Sequence, residues 1–478
     1  MLVLKISITY TLIRLNWKSE EVGNMYSEQQ EFLSDIDQSS EEQQRVIKSV
    51  ETLFVNEFTD GVIGPESEFL GPLRDGGTII ANTAPGCWGP MLTPTIKGAH
   101  EVTKPVYIEG ADVGDSLVIE IQSIQVTSVA TSSGVAEKIV DRYISDPFLK
   151  VKCPGCGRLH PQTTVTGVGP EAIRCATCYT DTAPMKFENG YTMAFHSKEG
   201  IGVTVGKEAA RKIASEPERY LRLPENAVQN PVVSLAPSDL IGVATRMRPF
   251  IGEIGTVPSK AMPASNNAGD SGLSLVDAQH ELQLTKDDVV SHCTDGHLHL
   301  PQVRAGAVLI CPVRVKGAGI YVGDIHAMQG AGQVAGHTTN VSGLVQVKVS
   351  VLKKVAVDGP ILLPNSDDLP FLAKPLTKNE RKLARDVAED YGVKQIEEAF
   401  PIAVVGTGES INAATESALQ RMANLVKLPI AEVKNRATIT GGVEIGRFPG
   451  LVIVTAQFPK SVLKHARLFK YVKHQYDR

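Results

Sequence analysis

The sequence has few aromatic residues, no excess of positive charge and no long apolar run. Aromatic side chains make up 5% of the 478 residues, and Asp and Glu (53) outnumber Lys and Arg (48), which gives a formal net charge of −5. Such a chain lacks the basic field that attracts phosphate backbones, which argues against nucleic acid as a partner. No apolar segment approaches the roughly 20 residues of a membrane span, so we expect a cytoplasmic protein with no membrane partner.

Glycine and proline are abundant. The 42 glycines and 28 prolines make up about 15% of the chain, a composition that predicts many short strands joined by turns rather than a helical bundle. The length suggests two or three domains, each able to bury a core.

The order of patterns predicts an α+β protein that is mainly β. We divide the chain into an N-terminal extension and helix (1–60), a β-rich domain (61–360) and a C-terminal α+β portion (361–478). Within the extension, residues 1–24 are expected to be disordered or artefactual, with Met25 as the natural start.

Particular elements are predicted from hydrophobic periodicity and turn residues. Helices are expected at 28–56, 137–149, 207–223, 377–400, 408–425 and 430–436, and strands at 105–122 (a pair), 251–258, 307–315, 443–445 and 451–456.

Four of the seven cysteines form a repeated C-x2-C pattern. Cys153 and Cys156 are separated from Cys175 and Cys178 by eighteen residues. Two such knuckles can place four thiolates around Zn²⁺, so the spacing predicts a structural zinc ribbon inserted at about 150–180, with disulfides as the alternative. A closed four-thiolate site leaves no open position for a substrate, so we assign it to structure rather than to catalysis.

A second stretch, 322–337, contains several side chains that can bind a metal or take part in catalysis. It contains Asp324, His326 and His337 among several glycines. If the chain is extended here, Asp324 and His326 lie on one face and can bind a metal together. The alternative is a glycine-rich turn in which Asp324 caps the backbone.

Other histidines repeat this spacing. His297 and His299 also stand two residues apart. Two such pairs on neighbouring strands would supply the three or four ligands of a catalytic zinc.

Three motifs resemble the acetamidase/formamidase family. They are the segments 100–115, 305–313 and 322–330, and the closing 458–462 is similar to the end of that family. The likeness runs from about Gly76 to Leu463. It implies β-sandwich-like layers followed by an α+β portion, a homo-oligomer, and metal-assisted hydrolysis of a short amide to a carboxylate and ammonia, with the zinc ribbon and the N-terminal stretch as additions.

The chain departs from the family at two motifs. The family tends to have Gly-Asp-Gly-Glu where this chain has Gly330-Ala-Gly-Gln333, and Gly-Asn-Met-Asp where this chain has Gly296-His-Leu-His299. These changes replace carboxylates by imidazole and amide groups. They leave open a non-catalytic or substrate-diverged scaffold that binds a metal or ligand.

The working hypothesis assigns roles to named residues. A second divalent metal is held by His100, His299, Asp324 and His326, and His297 and His337 contact the small amide substrate. Glu109 is the candidate base, with a solvated strand-end carboxylate as its alternative reading, and Gln333 hydrogen-bonds the substrate amide.

Overall fold

The computed structural model describes most of the chain from Val50 onward. The described residues are 50–86, 96–97, 100–138, 152–159, 161–169, 171–182, 185–228, 236–278 and 282–476.

The strands are numbered in chain order. They are β1 (Val50–Val55), β2 (Val62–Ile63), β3 (Leu70–Thr83), β4 (Val106–Ile108), β5 (Ser116–Val126), β6 (Ala130–Ser132), β7 (Val135–Lys138), β8 (Thr163–Val165), β9 (Ile173–Cys175), β10 (Met185–Glu188), β11 (Tyr191–His196), β12 (Ile201–Thr204), β13 (Ala244–Arg246), β14 (Phe250–Gly255), β15 (Met262–Pro263), β16 (Val308–Pro312), β17 (Ala318–His326), β18 (Asn340–Val341), β19 (Gly343–Leu352), β20 (Ile361–Leu363), β21 (Ala399–Thr407), β22 (Gly442–Arg447) and β23 (Leu451–Pro459).

Among the described residues helices are fewer than strands, and the longest helices lie in the C-terminal part. They are α1 (Lys207–Ser215), α2 (Pro217–Leu221), α3 (Ser271–Ser274), α4 (Lys286–His292), α5 (Lys378–Asp390), α6 (Ile411–Val426), α7 (Ile430–Thr440), α8 (Lys460–His465) and α9 (Phe469–Tyr476), with 3-10 turns at Ser366–Asp368 and Phe371–Ala373. None of the helices in the described residues has the length and hydropathy needed to cross a membrane.

Two β layers enclose the main core. Hydrogen-bonded neighbours in the first layer follow the order β1-β3-β19-β5-β16-β20-β21-β23-β22. The second layer contains β14-β17-β18-β6-β11-β12-β13, and β4 joins the layers because it pairs with both β3 and β17. Ile119 and Val347 of the first layer share one buried cluster with Ile254, Ile325 and Val341 of the second. The predicted mainly-β, sandwich-like fold is confirmed.

The strands differ in how they are covered. In β19, Val345, Val347 and Val349 are buried and alternate with more exposed polar residues, as expected for a strand with one face on a core. All nine residues of β17 are buried. This strand therefore has the core on one face and other buried groups on the second face, where a site can form.

The C-terminal part continues the first layer and adds helices to it. Strand β20 pairs with both β16 and β21, so the sheet runs through the predicted boundary at residue 361. Ile402 and Val454 of the sheet pack with Met422 of α6 and Val433 of α7 in a second core. The division into separate domains stays a prediction.

Several predicted elements need adjustment. The helix expected at 377–400 ends at Asp390, because Gly392 at φ +71° breaks it and β21 begins at Ala399. The prediction of helix at 28–56 is wrong for residues 50–55, the part of it that the structure describes as a regular element, since Val50–Val55 is a strand paired with β3. Val135–Lys138 is likewise a strand. The rest of both predicted helices, and residues 1–24, lie outside the described residues.

Candidate active site

The site begins at the pairing of β14 with β17. Glu253 pairs with Gly323 and Phe250 with His326, so Gly252 lies opposite Asp324. A Cβ atom on Gly252 would lie 2.6 Å from His326 Nε2 and 2.9 Å from Asp324 Oδ2. Only glycine leaves room there for the two side chains to meet.

Four histidines surround one carboxylate oxygen. The distances from their Nε2 atoms to Asp324 Oδ2 are 3.9 Å for His100, 3.8 Å for His297, 2.9 Å for His299 and 3.1 Å for His326. All five side chains are buried. The Nε2 atoms of His297 and His299 are 2.5 Å apart, and two lone pairs at that separation repel unless a proton or another cation lies close to both.

Local backbone structure brings His297 and His299 to the strand pair. The backbone N–H groups of Leu298 and His299 both donate to the carbonyl of Gly252. His299 has a positive φ of 47° and Asp324 one of 51°, conformations that are uncommon for residues other than glycine and that cluster at functional sites.

Two further carboxylates orient the imidazoles from outside. Glu253 Oε2 lies 2.8 Å from Nδ1 of His100, and Asp270 Oδ2 lies 2.9 Å from Nδ1 of His297. A proton on each Nδ1 leaves the Nε2 lone pair directed at the centre, as in metal-binding histidines that donate their other N–H to a carboxylate. Arg447 forms an ion pair with Asp270 and balances its charge.

Burial and charge set the ionisation of the centre. Burial alone would raise the pKa of Asp324, but His326, His100 and His299 outweigh it and hold that pKa well below its usual range. Burial lowers the pKa of His299 to about 3, and His297 adds to the effect. The centre is therefore an anionic carboxylate among imidazoles, of which His299 is neutral.

The donor set fits a divalent cation. His100, His297 and Asp324 form one group, and His299, Asp324 and His326 form a second, with the ligand atoms of each group within 4.8 Å of one another. Asp324 Oδ1, on the carboxylate shared by both groups, is buried without a hydrogen-bond partner among the described residues. Imidazole nitrogen with carboxylate oxygen is a ligand set that suits zinc and related ions.

Comparison with known proteins identifies the family. The sequence model of the acetamidase/formamidase family matches residues 89–465. The chain belongs to this family. No curated protein matches the sequence. Membership supports amide hydrolysis in general, and the resemblance inferred from the three motifs is confirmed.

Solved structures to which this chain is similar include three proteins. A predicted acetamidase/formamidase from Thermoanaerobacter tengcongensis is 16% identical (TM-score 0.48; 87% of this chain and 98% of that chain covered). An acetamidase from Yersinia enterocolitica is 15% identical (TM-score 0.48; 87% and 94% covered). An acetamidase from Bacillus halodurans is 16% identical (TM-score 0.48; 87% and 99% covered).

Most of the predicted site residues of this family member lie together. The four predicted metal ligands and His297 form the centre described above. His337 is half-buried, and its removal from water together with the charge of His100 lowers its pKa to about 3 while Asp324 opposes the shift. His337 therefore lies within electrostatic reach of the centre.

Gln333 lies in a loop that the C-terminal part holds in place. Its Nε2 donates to the carbonyl of Gly336 at 3.0 Å, and its buried Oε1 has no partner among the described residues. Gly332 in the same loop pairs with Arg447. The loop is thus held close to the arginine that contacts Asp270.

Glu109 is not brought to the centre. It is exposed at the end of β4, and Tyr107 pairs with Ala318 at the far end of β17 from Asp324. At ~3.3 Å per residue that end is on the order of 20 Å from the centre. Glu109 is therefore placed as its alternative interpretation describes, as a solvated carboxylate at the end of a strand. The two carboxylates that contact His100 and His297 from outside, Glu253 and Asp270, were not among the predicted site residues.

The four cysteines form a separate cluster around two similar turns. Gly157 donates to the carbonyl of Cys153, and Tyr179 donates to that of Cys175, each at 2.9 Å. Backbone N–H groups of Gly155 and Cys156 donate to the Cys153 thiol, and those of Thr177 and Cys178 to the Cys175 thiol. All four Sγ atoms lie within 4.8 Å of one another, so the cluster can hold a metal ion.

Proposed function

We propose that this chain hydrolyses a short-chain amide to a carboxylate and ammonia at the histidine–aspartate centre, with a divalent metal bound there. The observation that supports this most is the convergence of four Nε2 atoms on Asp324 Oδ2 in a member of an amide-hydrolase family.

Asp324, His100, His299 and His326 would hold the metal, and His297 completes the set. When bound, such an ion polarises a carbonyl and lowers the pKa of bound water toward ~7. Glu253 and Asp270 keep protons on Nδ1 of His100 and His297, so that both imidazoles present lone pairs to the centre. Burial of all these groups keeps bulk water from weakening their electrostatic effect.

Substrate contacts are proposed on the opposite side of the centre from the β14–β17 pairing. The unpartnered Oε1 of Gln333 can accept a hydrogen bond from an amide N–H, and His337 lies near enough to His100 for the charge of His100 to lower the pKa of His337. Glu109 has no part in this proposal.

The four cysteines are proposed to bind a structural zinc. The Cys153–Cys178 and Cys156–Cys175 Sγ pairs are 3.5 and 3.9 Å apart. A tetrahedron with Zn–S bonds of about 2.3 Å has edges of about 3.8 Å, whereas a disulfide requires about 2.05 Å. The spacing therefore supports zinc over disulfides.

A homo-oligomer is the proposed assembly. Helix α5 buries only Ala388, and Leu383, Val387 and Tyr391 form an exposed stripe at four-residue intervals. Such a stripe can pack against a second copy of the chain. Light scattering after gel filtration gives the mass of the particle, and a monomer at micromolar concentration would contradict the proposal. The cytoplasmic location stays a prediction.

Metal content and ammonia release test the proposed reaction together. We expect more than one metal per chain by elemental analysis, one of them in the cysteine cluster, and ammonia release from formamide or acetamide. Asp324→Asn should remove the metal of the centre and the activity without unfolding the protein, because it removes charge and keeps shape. Asp277→Asn, at an exposed position, is the control.

Two results would contradict the proposal. A single zinc per chain would leave nothing for the centre. A fully loaded protein that turns over no short amide would favour the alternative, a scaffold that binds a metal or ligand without catalysis.

A further inference from the structure

We propose that Asn340 binds the carboxamide group of the substrate and selects primary amides; this rests on the amide-hydrolase function proposed above. Asn340 begins strand β18, which lies beside the histidine-bearing end of β17.

Strand pairing places Asn340 next to His326. His326 pairs with Asn340, and Asn340 pairs with Thr131 on the next strand. Directly opposed residues in an antiparallel pair project from the same face, with Cβ atoms about 4.5–5.5 Å apart. The side chain of Asn340 therefore lies on the face that carries His326.

The other face of the same strands is apolar. Ile325 and Val341, the neighbours of His326 and Asn340, pair with each other and both belong to the main core. Alternation along each strand separates the two faces. Asn340 is thus directed away from the core and toward the side of the centre.

Both polar atoms of the Asn340 side chain lack a partner. The residue is 1% exposed, and neither Oδ1 nor Nδ2 has a hydrogen bond to any described residue. Other buried amide side chains in the described residues form at least one hydrogen bond; Asn266, for example, donates to Ala264 and to Tyr321. Burying an unpaired donor and acceptor is unfavourable for folding. Binding of a ligand that pairs with both atoms would offset this cost and explain why the residue is an asparagine.

A primary carboxamide is the complementary ligand. Its carbonyl oxygen accepts from Nδ2 while one of its N–H groups donates to Oδ1, which gives two parallel hydrogen bonds between like groups. The second N–H remains free for another acceptor. An N,N-dialkyl amide lacks the N–H groups and can form at most one of these bonds.

A structural role for Asn340 is the competing explanation. Nδ1 of His326, which pairs with Asn340 across the strands, also has no partner among the described residues, and Oδ1 of Asn340 is an acceptor of the kind it needs. In that case Asn340 would hold His326 in place for the metal. The two roles differ in what a substitution does to metal content.

The experiment compares the metal-loaded wild type with Asn340→Ala and Asn340→Asp. Acetamide and N,N-dimethylacetamide are titrated by calorimetry, ammonia release from acetamide gives KM and kcat, and metal content is measured on every sample. Val341→Ala is the control, because it removes side-chain volume from the opposite face of the same strand.

We expect Asn340→Ala to weaken acetamide binding and raise KM roughly 5- to 150-fold, the effect of losing two hydrogen bonds. N,N-dimethylacetamide binding should change much less, and metal content should stay constant. The substrate-free variant should melt at or above the wild-type temperature, since the unpaired amide is gone. Asn340→Asp keeps the size of the side chain and loses the donor, so it should weaken acetamide binding as well.

Specific results overturn the proposal. Loss of metal from Asn340→Ala would show that Asn340 holds His326 in place and does not bind the substrate. Equal weakening of both amides, or acetamide binding like that of the wild type, would remove it from substrate recognition. Absence of acetamide binding to the wild type would have the same consequence, whereas binding without ammonia release would contradict the proposed reaction and leave the recognition role supported.

Discussion

Replacing Glu253 by Gln tests how the protein tunes its centre. Glu253 is fully buried and its Oε2 lies 2.8 Å from Nδ1 of His100, while its Oε1 has no partner among the described residues. Gln has the same shape and can still accept from the Nδ1–H. The substitution therefore removes the charge of the acceptor and little else.

The expected loss follows from the hydrogen bond. A bond to a charged acceptor contributes about 1.5–3 kcal/mol and a neutral one about 0.5–1.5 kcal/mol. A difference of about 1–2 kcal/mol corresponds to roughly 5- to 30-fold in an equilibrium constant. This falls within or just below the roughly 10- to 100-fold range found for partners that hold metal-binding histidines. We expect metal affinity at the centre to fall by about this factor.

The stability of the metal-free protein should respond in the other direction. A buried carboxylate with an unpaired oxygen is costly to desolvate, so Glu253→Gln without metal should unfold at an equal or higher urea concentration. Metal affinity is measured by competition with a chromophoric chelator. The control is Glu444→Gln, because Glu444 is half-buried, which raises its pKa, and contacts Gln302 outside the centre. Unchanged metal affinity in Glu253→Gln would refute the reasoning and make Glu253 a purely structural partner of His100.

Four other predictions concern the same features. Gly252→Ala should exclude metal from the centre, since its Cβ would lie 2.6 Å from a histidine nitrogen, whereas Gly330→Ala, with open space around it, should not. Cys175→Ser should lower the melting temperature and remove one zinc per chain, because metal binding is coupled to folding of such modules; normal melting with zinc retained would contradict this. Burial lowers the pKa of His337 from its ordinary 6.5 to about 3 in the folded protein, so the stability it contributes is present above pH 6.5 and is lost as pH falls toward 3, at about 1.4 kcal/mol per pH unit. Urea midpoints between pH 4.5 and 7 should depend less on pH in His337→Asn. Reconstitution of the metal-free protein should favour Zn²⁺ over Mg²⁺ and Ca²⁺, and equal restoration of activity by Mg²⁺ would count against the imidazole centre as the metal site.

Much of the fold could be predicted because local patterns and tertiary packing agree. The segment predicted as a strand at 307–315 is mostly apolar, and Val308–Pro312 within it forms β16 with all five residues buried. The helix predicted at 377–400 is too long because Gln395 to Phe400 still contains apolar residues. Ala399 and Phe400 instead begin a strand that pairs with β23, which a local pattern does not reveal.

The centre could be predicted in part for a similar reason. Asp324 and His326 stand two apart, and so do His297 and His299, so short-range spacing indicates both pairs. Glu253 gives no such signal, because it lies in a glycine-flanked strand segment in which every residue is buried. A charged residue in such a segment must have a partner, and that partner, His100, is 153 residues away in the sequence. Sequence spacing carries no information about contacts at that distance.

The geometry gives a physical meaning to the departures from the family motifs. The loop Gly330–Gln333 has no carboxylate, yet three carboxylates surround the centre: Asp324 directly, and Glu253 and Asp270 through the Nδ1 atoms of two histidines. A carboxylate that acts through an imidazole raises the basicity of the ligand nitrogen without occupying a position at the metal. Hard ions such as Mg²⁺ and Ca²⁺ prefer direct oxygen ligands, whereas zinc accepts imidazole readily. The imidazole-rich lining of the proposed metal site therefore favours zinc over Mg²⁺ and Ca²⁺, while the buried charge of Asp324 that attracts a cation is retained.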